Sequence, residues 1–267
     1  MKLTYDISEL MPYINWPNFY FAWQVKEQRE KESLRNEAET FLRQLDGRYH
    51  TYGLFELFDA NGDGDDIVVL QSKFLERRIP FLRQQQGMAP FLCLSDFLRP
   101  LSSGVKDRVG LFATSVDIGL ETDFASDDYR KMMAQLLADR LAEATAERMH
   151  EQVRKQYWGY AREEHLSIAE MLVEKFQGIR PAVGYPSLPD TSLNFVLDEL
   201  LDLKQIGIRL TESGAMKPHA SVSGLMIAHP KARYFSLGKI GEDQLLDYAR
   251  RRGLPLEVCR KFLAANL

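Results

Sequence analysis

The sequence contains little cysteine: Cys93 and Cys259 are the only two in 267 residues, and they lie far apart in the chain. Small secreted domains that depend on disulfides need several cysteine pairs, and a structural zinc site needs a cluster of thiolate or imidazole ligands. Two distant cysteines therefore exclude a disulfide framework and a thiolate zinc site, and they predict a reducing, cytoplasmic location.

Long apolar runs and a dominant charge are also missing. No apolar stretch approaches the roughly 20 residues that span a bilayer, and the first nine residues, MKLTYDISE, lack the apolar core of a secretion signal. Lysine and arginine number 34 against 38 aspartates and glutamates, a net charge of −4. Because basic and acidic residues are interspersed, we expect neither a membrane nor a nucleic acid as partner.

Metal and nucleotide motifs are absent as well. The five histidines never stand at the spacing of metal ligands, and no glycine-rich phosphate loop occurs. The segment Asp59-Ala-Asn-Gly-Asp-Gly-Asp65 matches the first half of a calcium loop, but Leu70 stands where the bidentate glutamate belongs. We therefore expect a polar hairpin turn here and no metal site.

Apolar spacing predicts an α+β fold with a mainly antiparallel sheet, because helical and strand-like stretches do not alternate regularly. The strongest helical pattern covers residues 126–157, one helix of about 30 residues that begins at Ser126 and ends near Gly159. Further helices are predicted at 31–46, 191–206 and 242–252, and strands at 51–58, 67–70, 109–116, 208–211, 221–228 and 233–237. With no linker rich in Pro, Gly or Ser, residues 1–267 are predicted to form a single domain.

One stretch is unlike the rest: Gly178-Ile-Arg-Pro-Ala-Val-Gly-Tyr-Pro-Ser-Leu-Pro-Asp190. Proline fixes its own φ, lacks an amide donor and keeps the preceding residue out of the helical region. We therefore expect an ordered but irregular loop that presents backbone carbonyls, the guanidinium of Arg180 and the aromatic face of Tyr185. An arginine fork suits capture of a carboxylate; the alternative is a rigid connector between helices.

Other motifs stand in a fixed order around this loop: Tyr13-Ile-Asn-Trp16, Gly64-Asp-Asp-Ile-Val68 and Asp127-Asp-Tyr129 before it, and Leu210–Gly224, His229–Phe235 and Asp243–Gly253 after it. In this order they resemble the activation domain of cobalamin-dependent methionine synthase, the module that binds S-adenosylmethionine during reductive reactivation. The resemblance covers nearly the whole chain.

The resemblance implies that the chain positions S-adenosylmethionine for reductive methylation of cob(II)alamin carried by another chain or module. The implied partners are the cobalamin-binding module of methionine synthase and a flavodoxin-type reductase. No catalytic residue is implied in this chain. Carried over position by position, the implied S-adenosylmethionine contacts are Asn15, Arg180, Pro181, Ala182, Gly184, Tyr185, Tyr234 and Phe235.

Two positions depart from the family pattern. The family has aspartate, facing the amino group of the ligand, where this chain has Asn15, and charge-assisted hydrogen bonds are about twice as strong as neutral ones. After Asp190 the family continues with His, Ser or Thr, Glu and Lys, whereas this chain has Thr191-Ser-Leu-Asn194. The affinity for the ligand therefore does not follow from the sequence.

The sequence also lacks the Asp-x-His-x-x-Gly segment that supplies the lower cobalamin ligand in this family. We therefore expect the chain to carry only the activation function, with the corrinoid, folate and homocysteine modules on another polypeptide. Two other roles stay open. One is a non-catalytic protein that senses S-adenosylmethionine or scaffolds a corrinoid partner, and the other is a globular protein without a ligand.

Overall fold

The structure is a computed structural model that describes residues 1–72 and 75–267. The described strands form a six-stranded and a two-stranded sheet. They are β1 (Lys2–Asp6), β2 (His50–Asp63), β3 (Asp66–Ser72), β4 (Leu75–Pro80), β5 (Asp107–Val116), β6 (Arg209–Leu210), β7 (Met216–Lys217) and β8 (Ser221–Met226).

The larger sheet has the order β4-β3-β2-β5-β8, and β1 also pairs with β2. The pairs β1–β2, β2–β3 and β3–β4 are antiparallel, as is β6 with β7 in the small sheet. The predicted α+β class with a mainly antiparallel sheet is therefore confirmed.

The α-helices of the described chain are α1 (Ile7–Leu10), α2 (Trp16–Ala22), α3 (Gln28–Leu45), α4 (Gly119–Thr122), α5 (Asp128–Gln152), α6 (Ile168–Leu172), α7 (Leu193–Leu201), α8 (Glu242–Arg252) and α9 (Leu256–Phe262).

The long predicted helix is confirmed as α5, which continues from Gln152 into a π-helical stretch at Val153–Tyr157. Its N-cap is Asp127, not Ser126, because the Asp127 carboxylate accepts the backbone N–H of Arg130 at 3.0 Å. Gly159, with φ +74°, follows the end of the helix. A side-chain oxygen at the N-cap satisfies an amide that has no partner within the helix, so the aspartate fixes where α5 begins.

The hairpin prediction for the aspartate-rich segment is confirmed. Residues 59–63 extend β2, with Asp59 opposite Leu70 and Asp63 opposite Asp66, so only Gly64 and Asp65 form the turn. The carboxylates face cations: Asp59 lies 2.9 Å from Lys106, and Asp65 lies 2.7 Å from Arg83. This arrangement uses the aspartates as ion-pair partners at the sheet.

Two predictions were wrong in detail, and some elements were not predicted. Residues 233–237 are not a strand, although they carry the alternation of one. The helix predicted at 191–206 is α7 followed by a separate 3₁₀ turn at Leu203–Ile206, since Asp202 takes a left-handed conformation with φ +55°. Strands β1 and β4 were not predicted, because tertiary pairing with β2 and β3 decides their conformation.

The chain divides into two compact units, each assembled from three separate stretches. The first contains Met1–Phe55, Ala113–Phe176 and Leu201–Val222. Helix α5 forms its centre and contacts α1, α2 and α4. The α5 side chains that are buried there include Met133, Leu137, Leu141, Ala144 and Met149.

The second unit contains Glu56–Phe112, Gln177–Leu200 and Ser223–Leu267. Helices α8 and α9 close one cluster of its core, which comprises Leu82, Leu237, Ile240, Leu245, Tyr248, Ala249, Cys259 and Leu263. Each large aliphatic side chain buried in this way contributes about 1.5–3 kcal/mol relative to exposure. The cluster therefore holds α8 and the segment around Leu237 in place.

Within the described part of the chain, we find no helix with the length and apolarity that crossing a membrane requires.

Candidate functional site

The proline-containing loop pairs with strand β8 inside the second unit. Ile179 and Ile227 exchange both backbone hydrogen bonds at 2.9 Å, and the Val183 N–H donates to Ser223 O at 2.9 Å. Between them Pro181 O accepts the Leu225 N–H at 3.0 Å. Residues 178–190 form isolated bridges and turns but no regular strand, so the prediction of an ordered but irregular loop is confirmed. Pro181 is tolerated there because it acts only as an acceptor.

Gly224 makes this close pairing possible. A Cβ atom built on Gly224 would lie 2.1 Å from Pro181 O and 2.9 Å from the Ala182 Cα. Both neighbours are backbone atoms, so neither can move away without displacing the loop. Gly224 is the last residue of the Leu210–Gly224 motif, and the absence of a side chain at this position lets the loop approach β8.

The second half of the loop is a compact turn. Gly184, with φ +89°, donates its N–H to Leu188 O at 2.8 Å, and the Leu188 N–H donates to Tyr185 O at 2.8 Å. The positive φ at Gly184 is a conformation that other residues adopt only with strain. The turn leaves Tyr185 53% exposed.

A second segment, residues 234–237, is tied to the same loop. Tyr234 Oη accepts the backbone N–H of Arg180 at 2.8 Å, and the Leu237 N–H donates to Pro186 O at 2.9 Å. Phe235, which lies between Tyr234 and Leu237 in the sequence, is half-buried. The structure therefore brings the Tyr234 hydroxyl to the backbone of Arg180, although the two residues lie 54 positions apart in the sequence.

The Arg180 side chain is half-buried. The carbon at the centre of its guanidinium lies 5.7 Å from the centre of the Phe112 ring, and its Nε atom is buried. A cation that is partly removed from water attracts a carboxylate more strongly than an exposed one does. The side chain is therefore suited to bind an anionic group, while the backbone of the same residue anchors the loop.

The far end of the loop is held by a buried polar network. The Asp190 carboxylate accepts hydrogen bonds from Tyr248 Oη at 2.6 Å and from the Ser192 N–H at 2.8 Å. Arg252 donates to Ser192 Oγ at 3.0 Å and lies 3.9 Å from Asp190. Burial, followed by the neighbouring Asp190 charge, raises the pKa of Tyr248 well above its usual value. The sequence did not predict a role for Tyr248, because the pattern of an amphipathic helix does not show whether a buried tyrosine has a hydrogen-bond partner elsewhere in the chain.

The segment that departs from the family pattern takes structural roles. Ser192 belongs to the Arg252 contact just described, and the buried Asn194 accepts a hydrogen bond from Ser223 Oγ at 2.5 Å. Ser223 precedes the glycine that contacts the loop. The replacement of the family residues at 191–194 is therefore accompanied by contacts that fix the loop to β8 and α8.

Asn15 lies in the first unit, where it is the N-cap of α2. Its Oδ1 accepts the backbone N–H of Asn18 at 3.2 Å, which satisfies an amide at the start of that helix. Aspartate is an equally good N-cap, so the helix accounts for an Asn or Asp at this position without a ligand. The role of Asn15 in ligand binding stays a prediction from the resemblance.

No three His, Cys, Asp or Glu side chains stand close enough to hold a metal ion in residues 1–72 and 75–267.

The amino-acid sequence matches the protein family described as "Vitamin B12 dependent methionine synthase, activation domain" over residues 6–253. A solved structure described as "Crystal Structure of the MetH Reactivation Domain bound to AdoHcy" has a TM-score of 0.94 and 39% sequence identity to this chain. The similarity covers 100% of this chain and 90% of that chain. Both sequence and fold are thus similar over nearly the entire length.

Proposed function

Because the chain belongs to the family of vitamin B12-dependent methionine synthase activation domains, we propose that its loop at residues 178–190 binds S-adenosylmethionine for reactivation of cobalamin. The observation that carries the proposal is the hydrogen bond from the Arg180 backbone N–H to Tyr234 Oη, in the loop that also carries the exposed Tyr185. A relative with 39% identity is a reactivation domain bound to AdoHcy, the demethylated form of the same ligand.

The chemistry of the loop matches the groups that S-adenosylmethionine presents. Its carboxylate suits the forked guanidinium of Arg180, since two parallel N–H groups can bind both oxygens. Its sulfonium is a cation, and cations are attracted to exposed aromatic faces such as that of Tyr185. Pro181, Ala182 and Gly184 form the backbone of the loop and would line the ligand, with Tyr234 and Phe235 beside them.

Positioning is the contribution that this chain's own residues make. The bonds between residues 179–183 and β8, and the network around Asp190, fix the loop before a ligand arrives. A loop that is already ordered loses less conformational freedom on binding, and a methyl donor held in one orientation reacts faster than a mobile one. Cobalamin, carried by the partner module, would supply the centre that accepts the methyl group.

Two partners follow from this proposal. The cobalamin-binding module must reach the bound methyl donor, and a flavodoxin-type reductase must deliver the electron that reactivation consumes. The parent enzyme is a methyltransferase, and in this proposal the present chain contributes binding and orientation to that reaction. The alternative is a protein that senses S-adenosylmethionine or scaffolds a corrinoid partner without supporting methyl transfer.

A reactivation assay separates these roles. A methionine synthase without its own activation module is first oxidised to its inactive cobalamin state and then supplied with a reducing system. Adding this chain together with S-adenosylmethionine should restore methionine formation, and omitting either should not. Ligand binding without recovery of activity would favour the sensing or scaffold role, and the absence of ligand binding would contradict the proposed site.

A further inference from the structure

A short loop of the second unit, residues 84–92, is closed at its base by one glutamine. The Gln84 N–H donates to Leu92 O, and Gln84 Oε1 accepts the Leu92 N–H, both at 3.0 Å. Next to it Arg83 binds Asp96 with two hydrogen bonds of 2.7 Å and donates to Phe91 O at 2.7 Å. The two ends of the loop are therefore fixed to each other and to the body of the unit.

The tip of this loop is apolar and exposed. Met88 is 94% exposed and Phe91 is 39% exposed, and the segment Gln84-Gln-Gln-Gly-Met-Ala-Pro-Phe-Leu92 contains no charged residue, although 27% of the chain is charged. Single exposed apolar side chains are common on protein surfaces. An uncharged apolar tip on a loop with a clamped base is less usual and is typical of a contact surface.

The same loop is attached to the segment that carries the ligand-site aromatics. Gln84 Nε2 donates to Ser236 O at 2.7 Å, and Ser236 follows Tyr234 and Phe235 directly in the chain. Gln85 Oε1 accepts the Gly241 N–H at 2.6 Å, at the start of α8. The Gln84 bond thus attaches the base of the loop to the segment that carries Tyr234 and Phe235, which we propose to bind S-adenosylmethionine.

We propose that the tip at residues 86–91, led by Met88, contacts the edge of the corrin ring that the partner module brings to the bound methyl donor. This inference rests on the proposed function. The corrin edge carries methyl groups and neutral amide side chains, and it has no strong charge. A polarizable thioether suits the methyl groups, and the exposed amide of Gln86 suits the corrin amides.

The test compares Met88→Glu with Met88→Leu in the reactivation assay, at increasing concentrations of the cobalamin-loaded module. Glutamate places an unpaired charge against the neutral corrin edge, so the KM for the loaded module should rise by about tenfold or more while kcat stays unchanged. Leucine keeps the apolar contact and should leave KM near the wild-type value. The matched control is Val105→Glu, since Val105 is 51% exposed in another loop of the same unit.

Two further measurements identify the occupant. Binding of AdoHcy should be equal in wild type and all three variants, because Met88 is not placed in the ligand loop. The cobalamin-free module should inhibit the reaction with the same inhibition constant for wild type and Met88→Glu, because the variant affects only the contact with the corrin ring.

An unchanged KM in Met88→Glu would overturn the inference while leaving the proposed function intact. Equal weakening of the loaded and cobalamin-free modules would also overturn it, since protein and not corrin would then meet the tip. The same increase in KM for Val105→Glu would show a general effect of added charge. A wild-type chain that neither binds AdoHcy nor supports reactivation would overturn the proposed function and this inference together.

Discussion

Arg180 makes two separable contributions, one through its backbone and one through its side chain. The backbone N–H anchors the loop on Tyr234 Oη, and any residue other than proline can supply it. The guanidinium lies over Phe112 and, in our proposal, binds the carboxylate of the ligand. We therefore expect a substitution at this position to remove the ligand contact while the loop keeps its anchor.

Replacing Arg180 tests that separation. Arg180→Ala should weaken S-adenosylmethionine binding by about 2–4 kcal/mol, because truncation leaves the ligand carboxylate unpaired. Arg180→Lys should recover only part of the loss, since a point charge cannot reproduce the fork. Circular dichroism should show that Arg180→Ala remains folded, because the backbone N–H that anchors the loop on Tyr234 Oη is retained. Equal affinity in wild type and Arg180→Ala would mean that the loop is a connector.

Asn15 offers the opposite test, a gain of affinity. Asn15→Asp keeps an N-cap of equal quality on α2, so unfolding free energy should not change by more than a few tenths of a kcal/mol. If Asn15 meets the amino group of the ligand, the added charge should tighten binding by about 1 kcal/mol. Asn15→Ala serves as the control, with a loss of about 1 kcal/mol in stability from the missing cap. Unchanged affinity for S-adenosylmethionine in Asn15→Asp would mean that Asn15 caps α2 and does not contact the ligand.

The pairing of the loop with β8 is the structural element on which the site depends. Residues 179–183 follow one antiparallel register against residues 223–227, from Ile179 opposite Ile227 to Ala182 opposite Gly224. The pairing is close because one of the facing residues has no side chain. Ligand binding and the local stability of this pair of segments should therefore change together when the glycine is replaced.

Gly224→Ala is the variant that breaks this element. The new methyl group would overlap Pro181 O, whose backbone can move only by leaving the strand. We expect a stability loss of about 1–3 kcal/mol, as for other overpacked sites, and weaker ligand binding. Gly241→Ala is the matched control, because its nearest neighbour is the flexible Asp243 side chain. The free energy of unfolding in denaturant is measured for both variants. Equal values for Gly224→Ala and Gly241→Ala would contradict the proposed packing.

The sequence predicted elements well where periodicity is local and poorly where long-range pairing decides. Helices α3, α5 and α8 lie close to their predicted positions, because their apolar faces and end signals lie within the helix itself. Strands β1 and β4, the bridges between the proline-containing loop and β8, and the Asp190–Tyr248 bond depend on partners remote in sequence. The candidate site residues came from motif order, since no local physical signal connects Arg180 with Tyr234.

Neither compact unit is a continuous piece of chain, because each is assembled from three stretches. No cut in the sequence would therefore release a unit intact. We propose that residues 1–267 unfold as a single domain, as the absence of a flexible linker in the sequence predicts. Coincident thermal transitions by circular dichroism and tryptophan fluorescence would support this, and two separated transitions would contradict it.

Four buried or half-buried tyrosines should make the stability of the protein depend on pH in the alkaline range. Burial is the main cause that raises the pKa of Tyr13 and Tyr52 to about 12, and it raises the pKa of Tyr5 and Tyr248 as well. The unfolded chain releases these protons near pH 10. The folded chain keeps them longer, so the free energy of unfolding should fall as the pH rises above about 10.

Spectrophotometric titration measures this directly. Of the 11 tyrosines, only a subset should ionise while the far-ultraviolet circular dichroism is unchanged, and the remainder should ionise with unfolding. Titration in denaturant provides the control in which all ionise together. If every phenol ionised near pH 10 in the folded protein, the raised pKa values of these four tyrosines would be contradicted.

Calorimetric titration of the wild-type chain with S-adenosylmethionine is the most direct test of the proposal that the loop at residues 178–190 is a ligand site. We predict saturable heat with a stoichiometry near one ligand per chain, competition by AdoHcy, and a markedly weaker isotherm for Arg180→Ala. The absence of saturable heat at millimolar ligand, in a sample shown to be folded by circular dichroism, would contradict the proposed function.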